Sequence, residues 1–481
     1  QIRIRTYRLT KMDAYWEFRR RGERRLAAEK NRTFAPSQNA AVLFVPSPYP
    51  LAMASLGVLW AYERINAIPN WSCERLFAPD EFQEKPWRTW PHAALCTLET
   101  RTPISEFSLV ALSLCAEAEI PRLIRMFLAA GITPLRRKRN RNPFVIAGGP
   151  LGLVAPHAIG AIADIVFLGD TESTLPVFLE RLAAGETVPQ NLCADLPGVW
   201  APENSAPVAE CVLETKNFGP AVSNLVTPEA EFGEKRLVEV SRGCSRSCAF
   251  CMMSRHARPC GMRVFSADAI RTALGENTGS SVGFVGAAVS DHPQLIPLVE
   301  ELVQNNVSVS LSSVRADRAS LPLLTALARG KMRTLTLGLD GASERIRNTI
   351  NKQCSNDDFL TACENAVTAG LLAVKIYCIL GYPDETDTDI EELATLITRI
   401  PLQLSIKLSL SALVPKSNTP LANVPFPNAR VLSHRIYTLK RLLPFVKIQV
   451  PSWKDAKFEY EVDHFQESDL EKMIQHIFHE Q

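Results

Sequence analysis

Three cysteines of this 481-residue chain, Cys244, Cys248 and Cys251, stand in the spacing Cys-x3-Cys-x2-Cys. Thiolates are the usual iron ligands of iron-sulfur clusters, and one compact loop bearing three of them can wrap three corners of a 4Fe-4S cubane. The fourth iron is then left open. The amino and carboxylate groups of an amino acid could chelate it. Zinc is the rival reading, because Cys248-x2-Cys251-x4-His256-x3-Cys260 also offers four suitable ligands. It leaves Cys244 idle, and Cys260 is better taken as a loop thiol. The twelve cysteines as a whole are spread along a long chain with no export signal, so reduced thiols are expected rather than disulfides.

Such a loop needs a rigid element to present it. The triad directly follows a strand candidate, Arg236 to Ser241, and five more follow: Ser281 to Gly286, Val307 to Ser312, Thr334 to Leu339, Ala373 to Ile379 and Leu404 to Ala412. Six strands with helices between them predict a partial (β/α)6 TIM-like barrel whose site lies at the strands' carboxyl ends. Upstream, strand candidates Ala41 to Val45, Phe107 to Leu114, Phe144 to Ala147 and Asp164 to Leu168 alternate with helical stretches such as Leu51 to Ile65. That alternation predicts an α/β, flavodoxin-like (Rossmann-type) doubly wound domain, with Gly148-Gly149-Pro150 and Gly169-Asp170-Thr171-Glu172 at strand ends where ligands collect. The chain therefore divides into a basic leader (1–37), the doubly wound domain (38–186), a Pro-rich linker (187–232), the partial barrel (233–413) and a small C-terminal extension (414–481).

Composition bounds the rest. Hydrophobic residues at 46% and charged residues at 22% give the balance of a soluble globular chain, and no run reaches the ~18 apolar residues of a membrane span. A net charge of +2 gives no general argument for nucleic acid, which is not favoured as a partner. Local basic runs exist: residues 1 to 32 hold eleven Lys or Arg against four Asp or Glu, and residues 136 to 141 read Arg-Arg-Lys-Arg-Asn-Arg. A solvated face and an exposed loop are the plainer reading of both. A cytoplasmic location is expected.

Val240-Ser241-Arg242-Gly243-Cys244-Ser245-Arg246-Ser247-Cys248-Ala249-Phe250-Cys251 resembles the cluster loop of the radical S-adenosylmethionine (SAM) superfamily. Later segments are similar to that family's in the same order. Gly286-Ala287-Ala288-Val289-Ser290-Asp291 stands at the second-strand SAM contact, without the usual Gly-Gly-Glu type sequence. Ser312-Ser313-Val314-Arg315 resembles the segment meeting ribose and carboxylate, Gly338-Leu339-Asp340 the fifth-strand segment, and Leu380-Gly381-Tyr382-Pro383-Asp384-Glu385-Thr386 the adenine-binding turn. The resemblance implies SAM contacts from Phe250, Gly286, Ala287, Ser312, Ser313, Arg315, Asp340, Leu380 and Gly381, with no catalytic residue beyond the cofactors. Thr388-x-x-Glu391 is expected to cap the following helix. Tyr382, Lys416 and Trp453 are candidate substrate contacts, with packing or surface charge the plainer reading.

The upstream domain resembles the cobalamin-binding domain that precedes many radical SAM methyltransferases. This implies cobalamin contacts from Tyr49, Ser113, Gly148, Gly149, Pro150, Gly169, Asp170 and Glu172. The loop Pro48 to Gly57 lacks the His of mutase-type domains, so a His-off cobalamin is expected. The implied activity is reductive SAM cleavage and methyl transfer to an unactivated carbon, with an electron donor of flavodoxin or ferredoxin type and a small-molecule or peptide substrate. A cobalamin-assisted cyclisation or rearrangement, a methylthiotransferase and a non-enzymatic cobalamin or iron-sulfur sensor are the alternatives.

Overall fold

The computed structural model describes residues 11–79, 86–140, 142–203, 206–254, 258, 260–276 and 278–479. They form two compact units. The first takes the described parts of Gln1–Val212, Ser223–Glu234 and Phe465–Gln481, and the second takes Leu213–Val222 and Lys235–His464.

The first unit is built on six strands: β1 (Asn39–Val45), β2 (Trp71–Phe77), β3 (Leu109–Ser113), β4 (Phe144–Gly148), β5 (Ile165–Phe167) and β6 (Val199–Trp200), in the order β2-β1-β3-β4-β5-β6. β1 to β5 are parallel and β6 runs antiparallel beside β5. This is the expected flavodoxin-like order, with its topological switch between β1 and β3. Helices cover both faces, which is why β1 reads as one apolar run, with Ala41, Val42 and Phe44 fully buried.

β2 escaped the sequence pattern because its middle holds Glu74 and Arg75. Arg75 is fully buried and pairs with Glu29 and Glu99, each at 2.7 Å, while its guanidinium lies 4.4 Å from the Tyr62 ring. Glu29 directly follows the basic helix Lys11–Ala28, so this triad ties the helix to the sheet. The second basic run is also consumed internally. Arg137 pairs with Glu467 and Glu471 of the helix Glu467–Phe478, Lys138 pairs with Glu471, and Arg139 is buried against Asp164 at 3.1 Å. Arg141 lies outside the described residues.

The second unit carries β7 (Arg236–Glu239), a two-residue antiparallel ribbon of β8 (Ser241–Arg242) and β9 (Arg263–Val264), and then β10 (Ser281–Val285), β11 (Ser308–Leu311), β12 (Thr334–Gly338), β13 (Ala373–Leu380), β14 (Ser405–Ala412) and β15 (Lys447–Gln449). Apart from the ribbon, all are parallel, in the runs β11-β10-β7 and β12-β13-β14-β15. A parallel bridge from Val314 to Leu337 connects the runs into one open arc. The partial barrel thus has a seventh edge strand, β15, beyond the six expected. Alternate residues such as Val374, Ile376, Cys378 and Leu380 sit at 0–1% exposure in the core beneath the helices. Among the described residues no helix is long and apolar enough to cross a membrane.

Candidate active site

The loop with the three cysteines leaves the end of β7 and returns through the β8/β9 ribbon, so backbone pairing closes its neck. Gly243 makes the closure possible: its φ is +71°, and a Cβ there would fall 2.1 Å from the Gly261 carbonyl oxygen. The far side of the loop is pinned by Ala249 N–H donating to the Ile350 carbonyl at 2.9 Å and by Asn351 Nδ2 donating to the Ser247 carbonyl at 3.1 Å. Cys248 is buried while Cys244 and Cys251 are partly exposed, and none is in a disulfide. Burial pushes the Cys248 thiol up to about 11, against the pull of Lys352 and Arg315, and it raises Cys251 as well. Metal binding at these sulfurs must therefore displace protons.

Charged residues at the strand ends surround this loop. Asp291 accepts from Ser245 Oγ at 2.6 Å and pairs with Arg246 and Arg318, each at 3.2 Å. Burial opposes its ionisation, but the hydrogen bonds from Arg246 and Ser245 and the charges of Arg246 and Arg315 hold it below the usual carboxylate range. Asp317 pairs with Arg246 and Arg315, each at 3.0 Å, so two carboxylates and three guanidinia link the loop to the ends of β10 and β11. On the other side Asp340, at φ +59°, is ion-paired with the nearly buried Lys352, and its carbonyl accepts from the Tyr382 hydroxyl at 2.9 Å. Phe250 faces the Tyr382 ring with centroids 6.5 Å apart.

Most of the residues expected around SAM gather at these carboxyl ends, with qualifications that the side chains make plain. Arg315 is already paired with Asp317 and reaches toward the Lys352 and Gln353 carbonyls. Leu380 turns its side chain into the core and its carbonyl accepts from Leu413 N–H. Gly381 has φ +100° and a Cβ there would also strike Pro427, and Gly286 has no room for a Cβ beside Ser241 Oγ. Ser312, Ser313 and Ala287 are exposed. Lys352, Arg246 and Asp317 were missed; the Asp340–Lys352 pair spans a loop and a helix, and no short motif links them. The helix cap also differs, because Asp389 accepts from the Thr386 N–H and hydroxyl, two residues before the expected Thr388 box. Lys416 is ion-paired with Asp463 and Glu459, and the Trp453 ring lies tilted against Phe426 with centroids 4.7 Å apart, which fits packing.

Three sulfurs on one neck-closed loop, beside Lys352 and Arg315, suit an anionic thiolate cluster. Among the described residues no three His, Cys, Asp or Glu converge at single-ion distance, and thiolates on separate cubane corners stand further apart than the ligands of one zinc. His256, the zinc alternative's third ligand, lies outside the described residues.

In the first unit, a cavity of about 220 Å³ opens at the ends of β1, β3, β4 and β5, beside the switch point. Ser113, Gly148, Gly149, Pro150 and Gly169 line it, whereas Tyr49, Asp170 and Glu172 do not. Gly57, Trp60 and Ala61 of the helix Leu56–Ala67 form another wall, which no sequence motif marks. Two of the glycines are explained by backbone contact: a Cβ on Gly149 would meet the Leu114 carbonyl oxygen at 2.3 Å, and one on Gly169 the Cys211 carbonyl oxygen at 2.2 Å. Gly148 and Gly57 have no such conflict, so these two leave space that a ligand could take. An apolar cleft with small residues at the switch point suits the flat, bulky part of a cobalamin nucleotide.

The family model described as "Radical SAM superfamily" matches residues 238–397, and "Radical SAM proteins, N-terminal" matches 57–196. An uncharacterised protein of Methanocaldococcus jannaschii is 28% identical over 289 residues, covering 59% of this chain and 62% of that protein. An uncharacterised methyltransferase of Pyrococcus horikoshii is 24% identical over 281 residues, 55% of this chain and 60% of its own length. A tRNA-2-methylthio-N(6)-dimethylallyladenosine synthase of Cereibacter sphaeroides is 26% identical over 229 residues, 44% of this chain and 50% of that one. The chain thus matches between half and about three fifths of the length of these curated relatives. Among solved structures, the cobalamin-dependent S-adenosylmethionine radical enzyme OxsB, with aqua-cobalamin and S-adenosylmethionine bound, aligns with 74% of this chain and 51% of its own at a TM-score of 0.48 and 13% identity. Coproporphyrinogen III oxidase of Escherichia coli aligns with 43% of this chain and 52% of its own at 0.33 and 15%. The two family models together take in more than half of the residues, and the second covers the barrel whose first strand presents the cysteine loop: the chain belongs to the radical SAM superfamily.

Proposed function

We propose that the chain is a cobalamin-dependent radical SAM methyltransferase acting on an unactivated carbon. The observation that carries the reading is the cavity at the switch point of a flavodoxin-ordered unit, in the same chain as a three-thiolate loop on an open barrel. When bound, the cluster supplies the electron for SAM cleavage and cobalamin supplies a transferable methyl group. The chain's own part is to hold and shield. Cys244, Cys248 and Cys251 would ligate iron, Lys352 and Arg315 offset the negative charge there, and Tyr382 buttresses the turn at Asp340. Gly148, Ser113 and the helix wall would seat the cobalamin.

Anaerobic purification with iron and cobalt analysis, followed by turnover with methyl-labelled SAM, tests this. About four irons and one cobalt per chain and label in the product are expected. SAM cleavage without cobalt binding or methylated product would overturn the methyltransferase assignment and leave the superfamily membership intact. The methylthiotransferase alternative requires a second cluster, hence about eight irons. Cys73 is fully buried within β2, with its thiol raised by burial, so it is not placed as a ready ligand for such a cluster.

A further inference from the structure

A TIM-type barrel is ordinarily filled by layers of Val, Ile and Leu. The open barrel here has a different inner face. In β13, β14 and β15 the residues that alternate with the helix-covered core are Lys375, Tyr377, Lys407, Ser409, Lys447 and Gln449. The strand registers align them in rows. Lys375 stands opposite Lys407, Lys407 opposite Lys447, and Thr336 of β12 extends the same row; Tyr377, Ser409 and Gln449 form the next.

Three lysines side by side on adjacent strands are a cost, because like charges placed directly opposite one another destabilise a sheet. Among the described residues none of the three has a carboxylate partner, and Lys375 reaches only the Tyr377 hydroxyl and ring. None is fully buried, and Lys447 is exposed, so the row is open to solvent. Strands about 4.8 Å apart spread the three ammonium groups over roughly 10 Å. That spacing suits two or more neighbouring anionic groups better than one. Lysine is also a compact point-charge donor suited to phosphate.

We infer that this lysine row, set in the amino-terminal halves of β13 and β14 and at the start of β15, binds a substrate carrying closely spaced phosphates on the inner face of the open barrel. The inference rests on the reading that the open barrel holds the substrate, and it adds the substrate's chemical class. The phosphates could belong to a small diphosphate ester or to the backbone of a single-stranded RNA, and two probes separate these sources. Binding of inorganic pyrophosphate and of a short oligoribonucleotide to the full, cluster-loaded chain is measured by calorimetry at two salt concentrations. The same is done for K407Q and for the triple variant K375Q/K407Q/K447Q.

At least one probe is expected to bind, more weakly at high salt, with about a tenfold loss in K407Q and no measurable binding in the triple variant. Pyrophosphate alone assigns a small phosphate ester, and the oligoribonucleotide assigns RNA. Thermal stability at low salt is expected to rise in K407Q, because a repulsion is removed. Binding of neither probe, or equal binding by wild type and triple variant, would overturn the inference, as would a K407Q chain that is less stable and binds as before. Iron content and SAM cleavage are read in parallel. Their loss would indict the radical SAM reading, while their persistence with no phosphate binding would indict only the lysine row.

Discussion

Asp389 shows how much one carboxylate can organise. It caps the helix Asp387–Thr398 through Thr386, accepts from Ser343 and pairs with Arg345 at 2.6 Å. Burial by itself would raise its pKa, but the Arg345, Ser343 and Thr386 donors hold it down at about 2. A carboxyl depressed in the folded chain contributes stability above the ordinary range near pH 4, and loses it as pH falls through the folded value. Asp389→Asn should therefore cost about 1–2 kcal/mol at pH 7, with the gap from wild type closing between about pH 4 and pH 2 in denaturant titrations. A gap independent of pH would mean that packing, and not charge, carries the effect. At this scale the sequence spoke clearly for the cysteines, whose spacing is a local motif. It was silent about Lys352, whose partner Asp340 is near only because a strand end and a helix end meet.

Glycines mark where elements approach closely, and their two kinds of use predict opposite outcomes. Gly243→Ala places a methyl group against the Gly261 carbonyl in a left-handed conformation, so it should cost more than about 1 kcal/mol and lower the iron recovered per chain. Gly148→Val meets no backbone, so thermal stability should hold while cobalt binding falls at least tenfold. Equal cobalt binding by Gly148→Val and wild type would remove the cavity from the cobalamin site. The strands that could be read directly were those with uninterrupted or alternating apolar residues, such as β1 and β13. β2 could not be, because Arg75 and Glu74 are polar by composition and buried by partnership with distant residues. β15 is three residues long, too short to carry a period. The Gly-Gly and Gly-Asp turns were legible as strand ends, but which glycine faces a ligand and which faces a carbonyl is a property of the fold.

At the scale of the whole molecule, the chain leaves the first unit briefly over Leu213–Val222, leaves it again at Glu234 and returns to it at Phe465. The helix Glu467–Phe478 supplies Glu467 and Glu471 to Arg137 and Lys138, and its Phe478 lies against Trp87. A cut that isolates the barrel by sequence order thus strips the first unit of its own last helix. Fragments ending at residue 464 should precipitate more readily and should be held on heparin to a higher salt concentration than the full chain, because Arg137 and Lys138 lose their carboxylate partners. If the fragment elutes with the full chain, the helix does not neutralise the run. Affinity for nucleic acid seen only after such trimming would report the scissors, since the positive stretch is a socket the protein normally fills with its own tail.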